Sequence, residues 1–347
     1  MAVDPLTNSE QPIFLFGMPR SGTTWIGKIF DSHPQTLYRH EPDSWTPVSA
    51  VPLVPRVEDA PLYAELLHRF VASIASMNVP KVCAKTPIFR KAYQSSLAFE
   101  IQRIGALVAK IGGRVSPGFP VFGSPQRISG RTRLVWKSIE SLARLGVLID
   151  SFPAARAIHI VRHPCGFVSS VLRGERRSRF EDNSGASEDY GIYHLLLDTN
   201  LAKKESLDLG YLASLTPVER LAWRWLLFNE KAIEDCSASG RVKVVCYDDL
   251  CHDPVGVARE MFDFVGLAWT AQTHAFLKAS TGKDDGTYYG VYKDPLLAAS
   301  RWEQELSEDD QRRIMAVVDK GAVGRRFRRQ SSASVFAQLR TEYGALR

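Results

Sequence analysis

One short stretch constrains this chain more than any other: Gly17-Met18-Pro19-Arg20-Ser21-Gly22-Thr23-Thr24-Trp25, set between an apolar run and a helical pattern. The run before it, residues 13–17, is apolar without alternation, as expected of a strand covered on both faces. After it, Trp25, Ile26, Ile29 and Phe30 recur at helical spacing, and Pro34 closes the segment. The same order of strand, loop and helix recurs. Residues 157–161 lead to Pro164 at a first helical position, with Phe167, Val168, Val171 and Leu172 on one helix face. Residues 242–247 lead to Asp253-Pro254 as cap and first turn, with Val257, Met261, Phe264 and Val265 behind. Residues 134–136 read as a fourth strand, before a helix around 141–149. This repetition predicts an α/β fold, a parallel sheet flanked by helices. In such sheets ligands bind beyond the carboxyl ends of the strands, so the polar residues after each strand are the candidates for chemistry.

Gly17 and Gly22 form the glycine frame of a P-loop, in which backbone N–H groups and the following helix N-terminus surround an anion. Where the triphosphate-binding version of that loop carries lysine, this chain has Thr23. That lysine reaches the β- and γ-phosphates, so its loss argues against ATP or GTP. Arg20, the hydroxyls of Ser21, Thr23 and Thr24, and the backbone donors suit a single 5′-phosphate bearing a compact leaving group. A phosphosulfate fits that description. An ordinary strand-to-helix turn would not call for an arginine and three hydroxyls so close together.

At this loop the chain resembles the sulfotransferases that use 3′-phosphoadenosine 5′-phosphosulfate (PAPS), whose 5′-phosphosulfate loop reads Pro-Arg-Ser-Gly-Thr-Thr in many members. The resemblance implies their P-loop NTPase-like fold, with PAPS as donor and adenosine 3′,5′-bisphosphate (PAP) as product. It places Arg20, Ser21, Gly22, Thr23, Thr24 and Trp25 around the nucleotide. Residues 162–170 look like the family's second motif, which implies that Arg162 and Ser170 hold the 3′-phosphate. A guanidinium fork and a helix hydroxyl are chemically suited to a dianion. Tyr247-Asp248-Asp249-Leu250 is similar to the family's Tyr-Glu-Asp-Leu segment, which would set Tyr247 against the adenine. On bare chemistry Tyr247 is equally a buried sheet residue, and the same run imitates a Walker B strand. Lys293 and Arg301-Trp302 loosely match a C-terminal segment whose basic residue folds over the nucleotide.

Sulfuryl transfer requires an acceptor oxygen in line with the breaking S–O bond, a base for its proton, and positive charge at the departing oxygen. The small-molecule branch of the family finds its base in a Lys-Thr-His segment. The equivalent stretch here is Lys137-Ser138-Ile139, and isoleucine cannot abstract a proton. The tyrosylprotein and some bacterial branches use a glutamate shortly after the first helix. Glu41 occupies that place, 21 residues after Arg20, and is the first candidate for the base; adjacent His40, a type suited to neutral pH, is the rival. The bland alternative pairs Glu41 with Arg39. Lys137 is expected to neutralise the bridging oxygen, with Lys85 as competitor, and Ser280 is a weak positional candidate for the transferring group. A phosphosulfate brings little extra charge, so no metal is implied.

The chain has 347 residues, 45% of them hydrophobic, enough for a large core. With no repeat or clean linker, it reads as a single domain over 1–347. Its motifs span 13–302, variable insertions fall at 42–62, 112–133 and 174–190, and a basic tail begins near 325. Net charge is +6, with 44 Lys+Arg against 38 Asp+Glu. That excess suits an anionic ligand and falls short of a nucleic-acid-binding face. Arg325, Arg326, Arg328 and Arg329 are the one dense basic cluster, read as a solvated face or loose tail. Five cysteines without paired spacing disfavour both disulfides and zinc. No signal-peptide pattern and no membrane-length apolar run is found, so the expectation is a cytoplasmic enzyme. The acceptor, whether small molecule, carbohydrate, lipid or peptide, is not legible. The competing readings are a P-loop kinase or NTPase acting on a small molecule, and a non-catalytic protein that binds anions or nucleic acid.

Overall fold

The computed structural model describes residues 11–112, 120–121, 123–125, 131–176, 185–282, 291 and 294–328. Five parallel strands form one sheet: β1 (Ile13–Gly17), β2 (Thr36–His40), β3 (Arg133–Ser138), β4 (Arg156–Val161) and β5 (Val242–Cys246). Their order is β2-β3-β1-β4-β5, so the chain leaves β1 in one direction for β2 and β3 and in the other for β4 and β5. β1 is therefore the switch point of the sheet, and a crevice opens beyond its carboxyl end.

Alternation along the strands divides the interior into two cores. Phe14, Phe16, Leu37, Trp136 and Ala157 face one way, toward the helices Ala60–Ser76, Leu145–Ser151, Pro164–Arg176, Pro217–Cys236 and Glu308–Val318. Ile13, Leu15, Val135, Ile158 and Ile160 face the other, toward the helices Thr23–Asp31, Tyr247–His252, Pro254–Val265 and Ala271–Thr281. The unbroken apolar character of β1 thus follows from burial on both faces.

Three expectations need revision. β2 was not foreseen as a strand: it buries Thr36, Arg39 and His40 among its five residues, so it shows no apolar run. The 42–62 insertion is not simply a loop, since Pro42–Trp45 is helical and the Ala60–Ser76 helix begins within it. The basic tail does not begin at 325 either. Residues Ala322–Arg328 form a helix whose Phe327 is buried against Trp225. Arg329 and the rest of that tail lie outside the described residues, as do 113–119, 126–130 and 177–184 of the other two insertions.

Candidate active site

The loop after β1 is shaped by close packing. A side chain at Gly17 would place its Cβ 2.6 Å from the carbonyl oxygen of Ile160. Arg20 and Gly22 both take positive φ, 70° and 80°, which turns the chain tightly into the Thr23–Asp31 helix. At Gly22 any Cβ would collide with the ring of Tyr247, so glycine is required there by both conformation and space. The helix has no side-chain N-cap and no acidic residue in its first turn. Its N-terminal N–H groups and positive dipole end are thus presented to the crevice.

An open cleft lies over this helix end. Its wall includes Arg20, Gly22, Thr23, Thr24, Trp25, Arg162, Ser170 and Tyr247, which brings together eight of the nucleotide residues expected from the sequence. Ser21 is buried beneath the loop and is not on the wall, and Lys293 lies outside the described residues. Two further arginines join the wall, Arg173 and Arg301. Arg173 was missed, although its place one turn after Ser170 on the Pro164–Arg176 helix is the signal that would have found it.

The cleft residues hold one another. Arg20 donates from Nε to Ser170 Oγ at 3.0 Å. Arg162 donates to the carbonyl oxygens of Arg20 at 2.9 Å and Ala298 at 2.6 Å, and its guanidinium lies 5.1 Å from the Tyr247 ring centroid. Trp225 fixes the backbone beneath by donating to the Arg162 carbonyl at 3.0 Å. Glu305 accepts from Ser169 and Arg173, tying the C-terminal segment across the cleft edge. Among the described residues, the buried Nε of Arg162 has no hydrogen-bond partner. No acidic side chain lines this wall among the described residues. A phosphorylated nucleotide fits a wall that carries arginines, hydroxyls and an uncapped helix end. Ser280 is buried behind the loop, where it accepts from Trp25 Nε1 at 2.9 Å.

The second group of candidates meets at the ends of β2 and β3. Tyr38 pairs in register with Val135 and His40 with Lys137, while Lys137 is opposite Leu15 of β1, so these side chains share one sheet face. Lys137 is fully buried, and its Nζ contacts Oε1 of Glu41. Glu41 takes a left-handed conformation, φ 49° and ψ 52°, fixed by its N–H donating to the Lys137 carbonyl at 2.8 Å. His40 Nε2 faces the same carboxylate oxygen at 3.7 Å, and its Nδ1 is 2.8 Å from the Tyr38 hydroxyl. Burial, followed by the charges of Lys137, Lys85 and Lys28, pushes the imidazole well below its ordinary pKa. Arg39 does not pair with Glu41. It points to the opposite face, where it donates to the carbonyls of Ile74 and Ala75 at the end of the Ala60–Ser76 helix.

Asp43, which sequence reasoning did not single out, anchors this corner. Its buried carboxylate accepts from Ser138, from Ser141 at 2.7 Å and from Trp136 at 3.3 Å. Lys85 lies on the same side, where its carbonyl accepts from the buried Lys28 at 2.9 Å; the residue borders a separate small cavity and is not on the wall of the arginine-lined cleft. Among the described residues, no cluster of three His, Cys, Asp or Glu side chains is arranged to hold a metal ion.

The chain resembles known proteins over most of its length. A family model described as "Sulfotransferase family" matches residues 12–271. Mouse carbohydrate sulfotransferase 5 is 25% identical over 323 residues, covering 85% of this chain and 75% of that protein. Among solved structures, the sulfotransferase domain of the curacin biosynthetic pathway is 14% identical with a TM-score of 0.43, covering 89% of this chain and 98% of that one. Mouse SULT7A1 complexed with PAP is 10% identical with a TM-score of 0.44, covering 94% and 90%. The family match spans the β1 loop, Arg162, Ser170 and Tyr247, the same residues that meet around the cleft, and the chain belongs to the sulfotransferase family.

Proposed function

We propose that this sulfotransferase takes its sulfuryl group from PAPS, delivers it to a hydroxyl or amine of an acceptor, and releases PAP. The cleft wall carries this reading: an uncapped helix end beside four arginines, with no acidic side chain on the wall among the described residues. A 3′-phosphate at Arg162 and Ser170 and a 5′-phosphosulfate at the β1 loop would use these donors, with Tyr247 and Trp25 beside the base. When bound, the donor supplies sulfur already activated by a phosphate leaving group. Glu41, the part-exposed member of its cluster, is assigned the acceptor proton, and Lys137 the charge on the oxygen released from sulfur. The mouse relative's name makes carbohydrate hydroxyls the first acceptors to try.

Two further observations bear on setting. Among the described residues no helix is long and apolar enough to cross a membrane. The five cysteines are free, consistent with the reducing cytoplasm we assign to the protein.

The test is retention on immobilised PAP, followed by transfer of labelled sulfate from PAPS to a panel of sugars, alcohols, phenols and peptides. Retention on PAP with no competition from ATP and Mg²⁺ is expected. Binding of ATP with PAP ignored would replace this reading with a P-loop kinase.

A further inference from the structure

We infer that His40 is a positioning residue for Glu41: Tyr38 donates its phenolic proton to Nδ1, which holds the imidazole as the Nε2–H tautomer aimed at the Glu41 carboxylate. This rests on Glu41 being the base and adds the device that aims it. On β2, residues two apart share a face, so Tyr38 and His40 stand side by side. Their polar atoms are 2.8 Å apart and both residues are buried.

Proton bookkeeping then selects the tautomer. A phenol has one proton to donate, and His40 Nδ1 is the partner of the Tyr38 hydroxyl among the described residues. If Nδ1 carried hydrogen, that phenolic proton would be buried with no acceptor, which is costly. Nδ1 is therefore the acceptor and Nε2 carries the hydrogen. Nε2 in turn faces Glu41 Oε1 at 3.7 Å, just beyond hydrogen-bond range, on the same oxygen that Lys137 contacts.

The charges around the ring agree. Lys137 from β3, Lys85 from the segment beyond the short Pro80–Cys83 helix and Lys28 from the Thr23–Asp31 helix all oppose a further positive charge at His40. Glu41 is the facing anion, and burial holds Tyr38 in its protonated form. A neutral imidazole whose lone pair already receives the Tyr38 proton has no site left for an acceptor's proton. It can still orient a carboxylate.

The test reads the tautomer and the turnover separately. In protein labelled with ¹⁵N-histidine, with the His40 signal assigned by its loss in His40→Gln, the ring should show protonated Nε2 and bare Nδ1 at neutral pH. A Nδ1–H tautomer or an imidazolium would overturn the inference. Tyr38→Phe should lower kcat by roughly tenfold, the worth of one hydrogen bond acting through a charged group, with KM for PAPS unchanged. His40→Gln keeps an N–H donor and has no basic nitrogen, so it should retain most turnover, whereas His40→Leu should lose it. Equal loss in both would make His40 the base. The Glu41 reading is checked apart from these by Glu41→Gln; if turnover survives there, that reading fails and the role given to His40 falls with it, even if the tautomer is as stated.

Discussion

Lys137, with no exposed surface, meets one carboxylate oxygen of Glu41, a residue whose own backbone is held in the left-handed region. The pair joins the ends of two neighbouring strands, and a positive φ at a non-glycine residue is a local cost that persists only where the surroundings enforce it. Here the enforcement is visible, in the Glu41 N–H to Lys137 carbonyl bond and in Asp43 clasping the end of β3.

Glu41→Gln keeps the shape and removes the basic oxygen. Turnover should fall by about 10²- to 10⁴-fold, the usual worth of a positioned base. PAP affinity by calorimetry should be nearly unchanged, because Glu41 is not on the wall of the arginine-lined cleft.

Lys137→Met should separate activity from stability. Loss of charge at the departing oxygen is expected to cost about 10²- to 10³-fold in kcat. Thermal unfolding should shift less than in Glu41→Ala, because methionine fills the buried site, whereas removing the carboxylate strands a buried ammonium.

Arg162→Ala should act on the nucleotide. It removes a charged donor, so PAP should bind about 10- to 100-fold more weakly in titration calorimetry. Gly22→Ala should be worse, because the methyl group would strike the Tyr247 ring at a backbone conformation that alanine resists.

Acid should destabilise the fold within a definite window. Burial pushes His33, His159 and His163 from 6.5 down to about 4. In that interval the unfolded chain binds more protons than the native one, so stability falls as pH drops from 6.5 toward 4. The slope is about 1.4 kcal/mol per pH unit for each histidine. Asp43, Glu140 and Asp235, whose carboxyls are raised by burial, act in the opposite sense and offset part of it. Urea unfolding from pH 7.5 to 4.5 measures the net slope, and His159→Asn should make it shallower. No change between the two proteins would show that His159 is not held neutral by the fold.

The four strands visible in the sequence were those rich in apolar and β-branched residues, and β2 was hidden because three of its own five residues, Thr36, Arg39 and His40, are buried polar side chains. The Pro217–Cys236 helix was passed over although Thr216 and Glu219 form a capping box at its start. The residues expected around a nucleotide could be named from the sequence because glycines that the tight turn after β1 requires stand at fixed spacing with an arginine between them, and eight of those residues share one cleft wall. Asp43 was not legible, since nothing local marks a carboxylate that binds a strand 95 residues away. Arg173 did carry a local mark, its place one turn after Ser170 on the same helix.

Sequence alone determined the parallel α/β frame and the loop after β1, because apolar runs, helical spacing and a glycine pair act over a few neighbouring residues. The tertiary structure decided which candidates meet. Strand order brought Lys137 to Glu41, alternation turned Arg39 away, and burial among three lysines made His40 a neutral ring. Those outcomes depend on distances between residues far apart in the chain, and short-range pattern carries no information about them.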